Sequence, residues 1–126
     1  MLNVQHLVQG NVVRGKGEAR ALGYPTANID YTSEASIDAG VWVCVCHVDD
    51  QTWNGVGVVG MWQMTNGLPS VEVHLLDMEM DLYGRTMQVL FLHHLRPLVS
   101  VTSVEELVHL IQEDIEKART YLALHP

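Results

Sequence analysis

Short apolar runs of period two, each ended by glycine or a turn-forming residue, leave little room for any core other than a sheet. Val4 to Val13 is β-rich and closes on Arg14-Gly15, and Val41 to Val48 is bounded by Gly40 and by Asp49-Asp50. Trp53 to Val59 carries Gly55 and Gly57 and runs into Gly60, a pattern of bulges or close backbone approach rather than of helix. Val71 to Leu76 alternates Val71, Val73 and Leu75 with Glu72 and His74, and Thr86 to His94 is entered through Tyr83-Gly84. Strands this frequent, with turns between them, predict an antiparallel sandwich or barrel.

Helical periodicity is clear only at the end. Ser103-Val-Glu-Glu106 has the form of a capping box. Val104, Leu107, Val108, Ile111, Ile115, Ala118 and Leu122 then share one stripe, opposite Glu105, Gln112, Glu113, Glu116 and Lys117. The helix is therefore expected to lie on the sheet with one wet face. A chain of 126 residues predicts a single domain spanning residues 1–126. Seven Lys+Arg against fifteen Asp+Glu give a net charge of −8, which argues against a nucleic-acid or anionic-membrane surface. Val41–Val48 is too short to span a bilayer, and Met1-Leu-Asn-Val-Gln-His lacks the basic start of a signal peptide. A cytoplasmic monomer without nucleic-acid or membrane partners is expected. Cys44 and Cys46, two apart on one strand, share a face with side chains too parallel for an easy disulfide, and are read as core. His93 and His94 point to opposite faces and cannot chelate one ion together.

Three segments can carry chemistry. In Gly15-Lys-Gly-Glu-Ala-Arg-Ala-Leu-Gly23, glycines let backbone N–H groups approach phosphate, and Lys16 or Arg20 supplies positive charge. The spacing is not that of a P-loop, and for the glycines taken alone an ordinary flexible turn is the commoner explanation. Pro25 then stiffens the exit from the loop, so that Thr26 and Asn28 point to one side of an extended chain. Their neutral oxygens suit a hard cation such as Mg²⁺; a Thr/Asn pair capping a turn is the competing reading. In the second segment, Glu72 on a rigid strand can serve as general base for a hydroxyl, or can belong with His74 to a solvated sheet face. In the third, Asp77 to Gly84 carries methionines and Tyr83 beside a turn, fit to line an aromatic ligand's pocket or to fill core. Arg96, after an apolar strand, suits a ligand contact or an ion pair.

Taken together, these residues resemble the riboflavin kinase (flavokinase) family from about Val8 to Leu122. The motifs come in family order: Gly10-Asn-Val-Val-Arg-Gly15, Leu22-Gly-Tyr-Pro-Thr-Ala-Asn28, Ala39-Gly-Val-Trp42, Val71-Glu-Val-His74, Asp81-Leu-Tyr-Gly84, Leu95-Arg-Pro97 and the terminal helix. The resemblance implies a six-stranded antiparallel Greek-key β-barrel with a C-terminal helix. It implies transfer of the ATP γ-phosphate to the 5′-hydroxyl of riboflavin, with Mg²⁺, giving FMN and ADP. By position, Gly15, Lys16, Gly17, Arg20, Gly23, Pro25, Thr26 and Asn28 would bind the nucleotide, with Thr26 and Asn28 holding the metal. Glu72 would accept the hydroxyl proton, and His74, Asp77, Asp81, Tyr83, Arg96, Leu98 and Val101 would enclose the flavin.

In many bacteria such a kinase is half of a bifunctional enzyme that also adenylylates FMN, and nothing in this chain is expected to supply that half. The chain departs from the family pattern at Val58, where Asn or Ser is usual, at Leu98 and Val101, where Glu and Phe are usual, and at Glu18 in the loop. The alternative function is a catalytically weak flavin- or nucleotide-binding barrel with a regulatory or interaction role.

Overall fold

The structure is a computed structural model, and it describes residues 6–14, 22–32, 37–78 and 81–126. The strands are β1 (His6–Val13), β2 (Ala27–Asp30), β3 (Gly40–Val48), β4 (Gln51–Gln63), β5 (Pro69–Leu75) and β6 (Thr86–Arg96). A helix, α1 (Val104–Leu124), follows. The strands close in the order β1-β2-β5-β4-β3-β6, every pair antiparallel, which is the Greek-key barrel the family resemblance implied. Register shifts in the β3–β6 pairing, between Val41 and Trp42 and between Val43 and Cys44, bend the sheet where it closes.

Alternation divides each strand between two environments. Val8, Ile29, Cys44, Cys46, Val73, Met87 and Val89 fill the barrel, each buried. Val41, Val43, Val56 and Leu76 face outward and form a second cluster with Ala118, packed against by Ile115 and Leu122 of α1. This double burial explains why β3 reads as a continuous apolar run: its inner face lines the barrel and its outer face lies under the helix. β4 runs on past Val59 to Gln63, beyond the glycine-bearing stretch legible in the sequence. Gly60 turns it with φ +86, a left-handed conformation that favours glycine.

The helix stripe is seated as expected from Leu107 onward, but Val104 is 61% exposed because the first turn overhangs the barrel. Its cap is a variant of the expected box. Ser103 Oγ accepts from the Glu106 amide at 3.1 Å, while Glu106 reaches back to the amide and hydroxyl of Thr102 rather than to Ser103 itself. Buried Asp114 interrupts the stripe, and Arg96 answers it through Nε and Nη2, each 2.8 Å from a carboxylate oxygen. The third guanidinium nitrogen of Arg96 donates to the Pro97 carbonyl at 3.1 Å. Of the two roles open to Arg96, the structure therefore shows the ion pair: the side chain anchors α1 to β6, and its nitrogens are all engaged.

Both cysteines are free and buried in the barrel. Burial pushes the Cys46 thiol up to about 12, and burial with the neighbouring Cys46 also raises that of Cys44 well above the ordinary thiol range. Neither thiol is a nucleophile at neutral pH. A thiol reagent at pH 8 should leave both unlabelled in the native protein and label both after unfolding; labelling under native conditions would contradict this packing. Because the folded thiols hold their protons where unfolded ones release them, stability should fall as pH rises above about 8.5. Asp114→Ala should cost about 3 kcal/mol in denaturant unfolding, since it strands the largely buried Arg96.

Candidate functional site

Asn28 on β2, Glu72 and His74 on β5, and Thr26 just before β2 make up the candidate site. β2 pairs with β5 so that Ala27 lies opposite Val73 and Asn28 opposite Glu72. Ala27, Ile29, Val71 and Val73 belong to the barrel interior, so the intervening residues must project outward. Directly opposed residues on one face of an antiparallel pair have Cβ atoms about 5 Å apart. Thr26 and His74, the next residues along on that face, continue the same row. Across the other flank of Glu72, β4 places Val58 directly opposite it. Asn28, Glu72 and Val58 thus form a line across three strands, polar at one end and apolar at the other.

Asn28 is 5% exposed, and its Oδ1 is, among the described residues, the one buried side-chain oxygen or nitrogen without a hydrogen-bond partner. Burying such an atom without a partner is costly, and a donor or cation brought with a ligand would satisfy it. With the Thr26 hydroxyl it offers the neutral, hard oxygens that fit Mg²⁺.

The approach to Thr26 is braced. His74 Nδ1 lies 2.7 Å from the Pro25 carbonyl, which can only accept, so the proton sits on Nδ1. Tyr24 contacts the His74 ring edge-on at 5.8 Å, and its hydroxyl accepts from Gln112 of α1 at 3.2 Å. Gly23 precedes them with φ +91, supplying the left-handed turn before Pro25 fixes the chain.

A cavity of about 770 Å³ opens beside these residues. Gly23, Pro25, Thr26, His74, Asp77, Met78, Asp81 and Tyr83 are among the residues that line it, with Val12, Val73 and Leu75 of the barrel strands. Its volume suits a nucleotide-sized ligand. Asp77 adopts φ +60 and receives two hydrogen bonds from Arg119 of α1, both 3.0 Å. That guanidinium holds the Asp77 carboxyl below the usual carboxylate range. Asp81 Oδ1 accepts from the Tyr83 amide at 3.0 Å, and the Arg14 guanidinium lies 4.5 Å over the Tyr83 ring.

Residues read from the sequence as one flavin-enclosing set fall into two groups. His74, Asp77, Asp81 and Tyr83 share the cavity with Thr26. Arg96, Leu98 and Val101 are not among its lining residues; Leu98 lies by Gly60, two residues past Val58 on β4. Gly15, Lys16, Gly17 and Arg20 lie outside the described residues. Asp114 and Arg119 are not singled out by the sequence, and Arg14 enters there only within the Gly10–Gly15 motif. Asp114 had a signal, an acid set between Ile111 and Ile115 on the apolar stripe; Arg119, on the exposed face, had none.

The family model for riboflavin kinase matches residues 2–122, and the chain belongs to that family. It is 36% identical over 118 residues to the bifunctional riboflavin kinase/FMN adenylyltransferase of Pseudomonas fluorescens, covering 92% of this chain and 38% of that protein. The Escherichia coli protein of the same description is 35% identical over 119 residues, again with 38% of its length covered. The chain therefore spans less than half the length of these relatives. Among solved structures, riboflavin kinase from Trypanosoma brucei matches the fold with a TM-score of 0.64 at 21% identity, covering 94% of this chain and 80% of that one. A Streptococcus pneumoniae chain described as a macrolide-efflux protein superposes with a TM-score of 0.81 at 30% identity, over 90% of this chain and 38% of that one. Among the described residues of the present chain, no helix is long and apolar enough to cross a membrane.

Proposed function

We propose that this chain phosphorylates the 5′-hydroxyl of riboflavin from ATP, with Mg²⁺, and that the row Asn28–Glu72–Val58 is where the two substrates meet. The observation that carries this reading is the β2–β5 register, which sets a carboxylate directly across from a buried, unpartnered amide oxygen. The cavity bordered by Thr26 and His74 takes the nucleotide, with Asp77, Asp81 and Tyr83 along its wall. This moves those residues from the flavin side to the nucleotide side, because the triphosphate must lie against Thr26 and they share its cavity. The apolar flank at Val58, with Leu98 beside nearby Gly60, suits the flat ring of the flavin, and Val101 is proposed to join them.

Phosphoryl transfer asks the protein for alignment and charge neutralisation more than for covalent chemistry. Glu72 accepts the proton from the ribityl hydroxyl as that oxygen bonds to the γ-phosphorus and the bond to the ADP oxygen breaks. Thr26 and Asn28 would hold the magnesium ion, which supplies positive charge to the triphosphate that a chain of net charge −8 otherwise lacks. His74 keeps Pro25 and Thr26 in place through its hydrogen bond to the Pro25 carbonyl. Lys16 and Arg20, with the amides of their loop, are proposed to meet the phosphates.

Incubation with riboflavin, ATP and Mg²⁺, followed by chromatography, should yield FMN and ADP in equal amounts. Riboflavin bound without any FMN formed would instead favour the weak binding barrel. Glu72→Gln should leave riboflavin affinity nearly unchanged and lower turnover by about 10²–10⁴-fold; an unaltered rate removes Glu72 from the proton transfer. Asn28→Ala should raise the Mg²⁺ concentration that gives half the maximal rate, and an unchanged magnesium dependence counts against that ligand.

A further inference from the structure

We infer that Arg119, outside the cavity, is a positioning residue that holds and neutralises its acidic wall through Asp77, and thereby sets the affinity for the nucleotide; this rests on the nucleotide reading of the cavity above. The chain leaves β5 through Leu76, whose amide donates to the Asn54 carbonyl at 2.8 Å and whose side chain is buried with Ala118. Asp77 then turns the backbone with φ +60, a conformation disfavoured for a residue carrying a Cβ. The direction taken there decides where Met78 lies on the cavity wall, to which Asp81 and Tyr83 also belong.

That wall has two anchors. At its far end the Gly84 amide donates to the Val12 carbonyl, and the Val12 amide donates to that of Arg85, both at 2.9 Å. At its near end the anchor is the two-pronged bond from Arg119 to both oxygens of Asp77. Arg119 can act as a strut because its own backbone is held. Neighbouring Ala118 is fully buried, and Asp114, one turn earlier, is locked to Arg96.

The same bond has an electrostatic consequence. Asp77 and Asp81 both line the cavity, and an unpaired carboxylate there would repel a polyphosphate. Arg119 cancels one of the two charges without entering the cavity. The pair is exposed, with side chains 50% and 75% accessible, so its contribution is modest and screened by salt.

The test is a double-mutant cycle of Arg119→Ala and Asp77→Ala in the full chain, read by steady-state kinetics and by amide hydrogen exchange. Arg119→Ala should raise KM for ATP about two- to five-fold at low salt, with kcat and KM for riboflavin unchanged. The difference should narrow in high salt, and Arg119→Lys should recover part of it. The double variant should lie closer to the single ones than the product of their effects. Amides of Asp77, Met78 and Leu82 should exchange faster in either single variant. An unchanged KM for ATP, or a fall in kcat with KM constant, overturns the inference. A rise in KM for riboflavin alone keeps the strut and overturns the nucleotide assignment. If the parent protein forms no FMN, the proposed function fails by itself. The exchange data then decide the strut: faster exchange upholds it, and identical exchange in parent and variants overturns it.

Discussion

The pairing of β2 with β5 is the constraint from which the rest of the site follows. Side chains on a strand alternate with period two, so burying Ala27 against Val73 in the barrel obliges Asn28 and Glu72 to face outward together. A slip of one residue would place Glu72 among the valines of the interior and expose Val73. The apolar core thus enforces the adjacency of an amide oxygen and a carboxylate, and no contact between those two polar groups is needed to explain it. The same logic carries across Glu72 to Val58, which gives the row its polar and apolar ends.

The helix contributes in a different way. It covers the outer face of β3 and β4, which makes those strands apolar on both sides, and it is tied down by two arginine–carboxylate pairs of unlike character. Arg96–Asp114 is largely withdrawn from water and joins α1 to β6. Arg119–Asp77 is exposed and joins α1 to the turn leaving β5. The first arginine lies in a motif that resembles a family ligand segment, yet its nitrogens are engaged by Asp114 and Pro97. The second lies on a face that looks merely solvated, yet it touches the cavity wall. A carboxylate on an apolar stripe demands a partner, so the Arg96 pair is a requirement of burial, whereas the Arg119 pair is a consequence of where the turn happens to pass.

An acidic chain handling a polyphosphate has to concentrate positive charge locally. Among the described residues, Arg14 over Tyr83 and Arg119 on Asp77 are the guanidinium groups against the cavity-lining segment. Neither creates a strongly basic surface. A metal ion held at the oxygens of Thr26 and Asn28, as proposed, would answer that need, because the charge would arrive with the nucleotide and leave the barrel's own surface acidic.

Much of this architecture was legible before any coordinates. Alternation in Val71–Leu75, the glycine-bounded run of Val41–Val48 and the stripe ending at Leu122 report local periodicity, and periodicity is a property of the chain alone. So is the shared direction of Thr26 with Asn28, and of Glu72 with His74. What no local pattern contains is which strand lies beside which. Closing the barrel in the order β1-β2-β5-β4-β3-β6 set Asn28 opposite Glu72, left Arg96 out of the cavity lined by Asp77, Asp81 and Tyr83, and brought Arg119 across 42 residues to Asp77. The sequence by itself determined the faces of each element, because alternation and helical pitch follow from backbone geometry. The tertiary structure alone decided the neighbours, because pairing across long sequence distances depends on how the whole apolar surface can be buried at once.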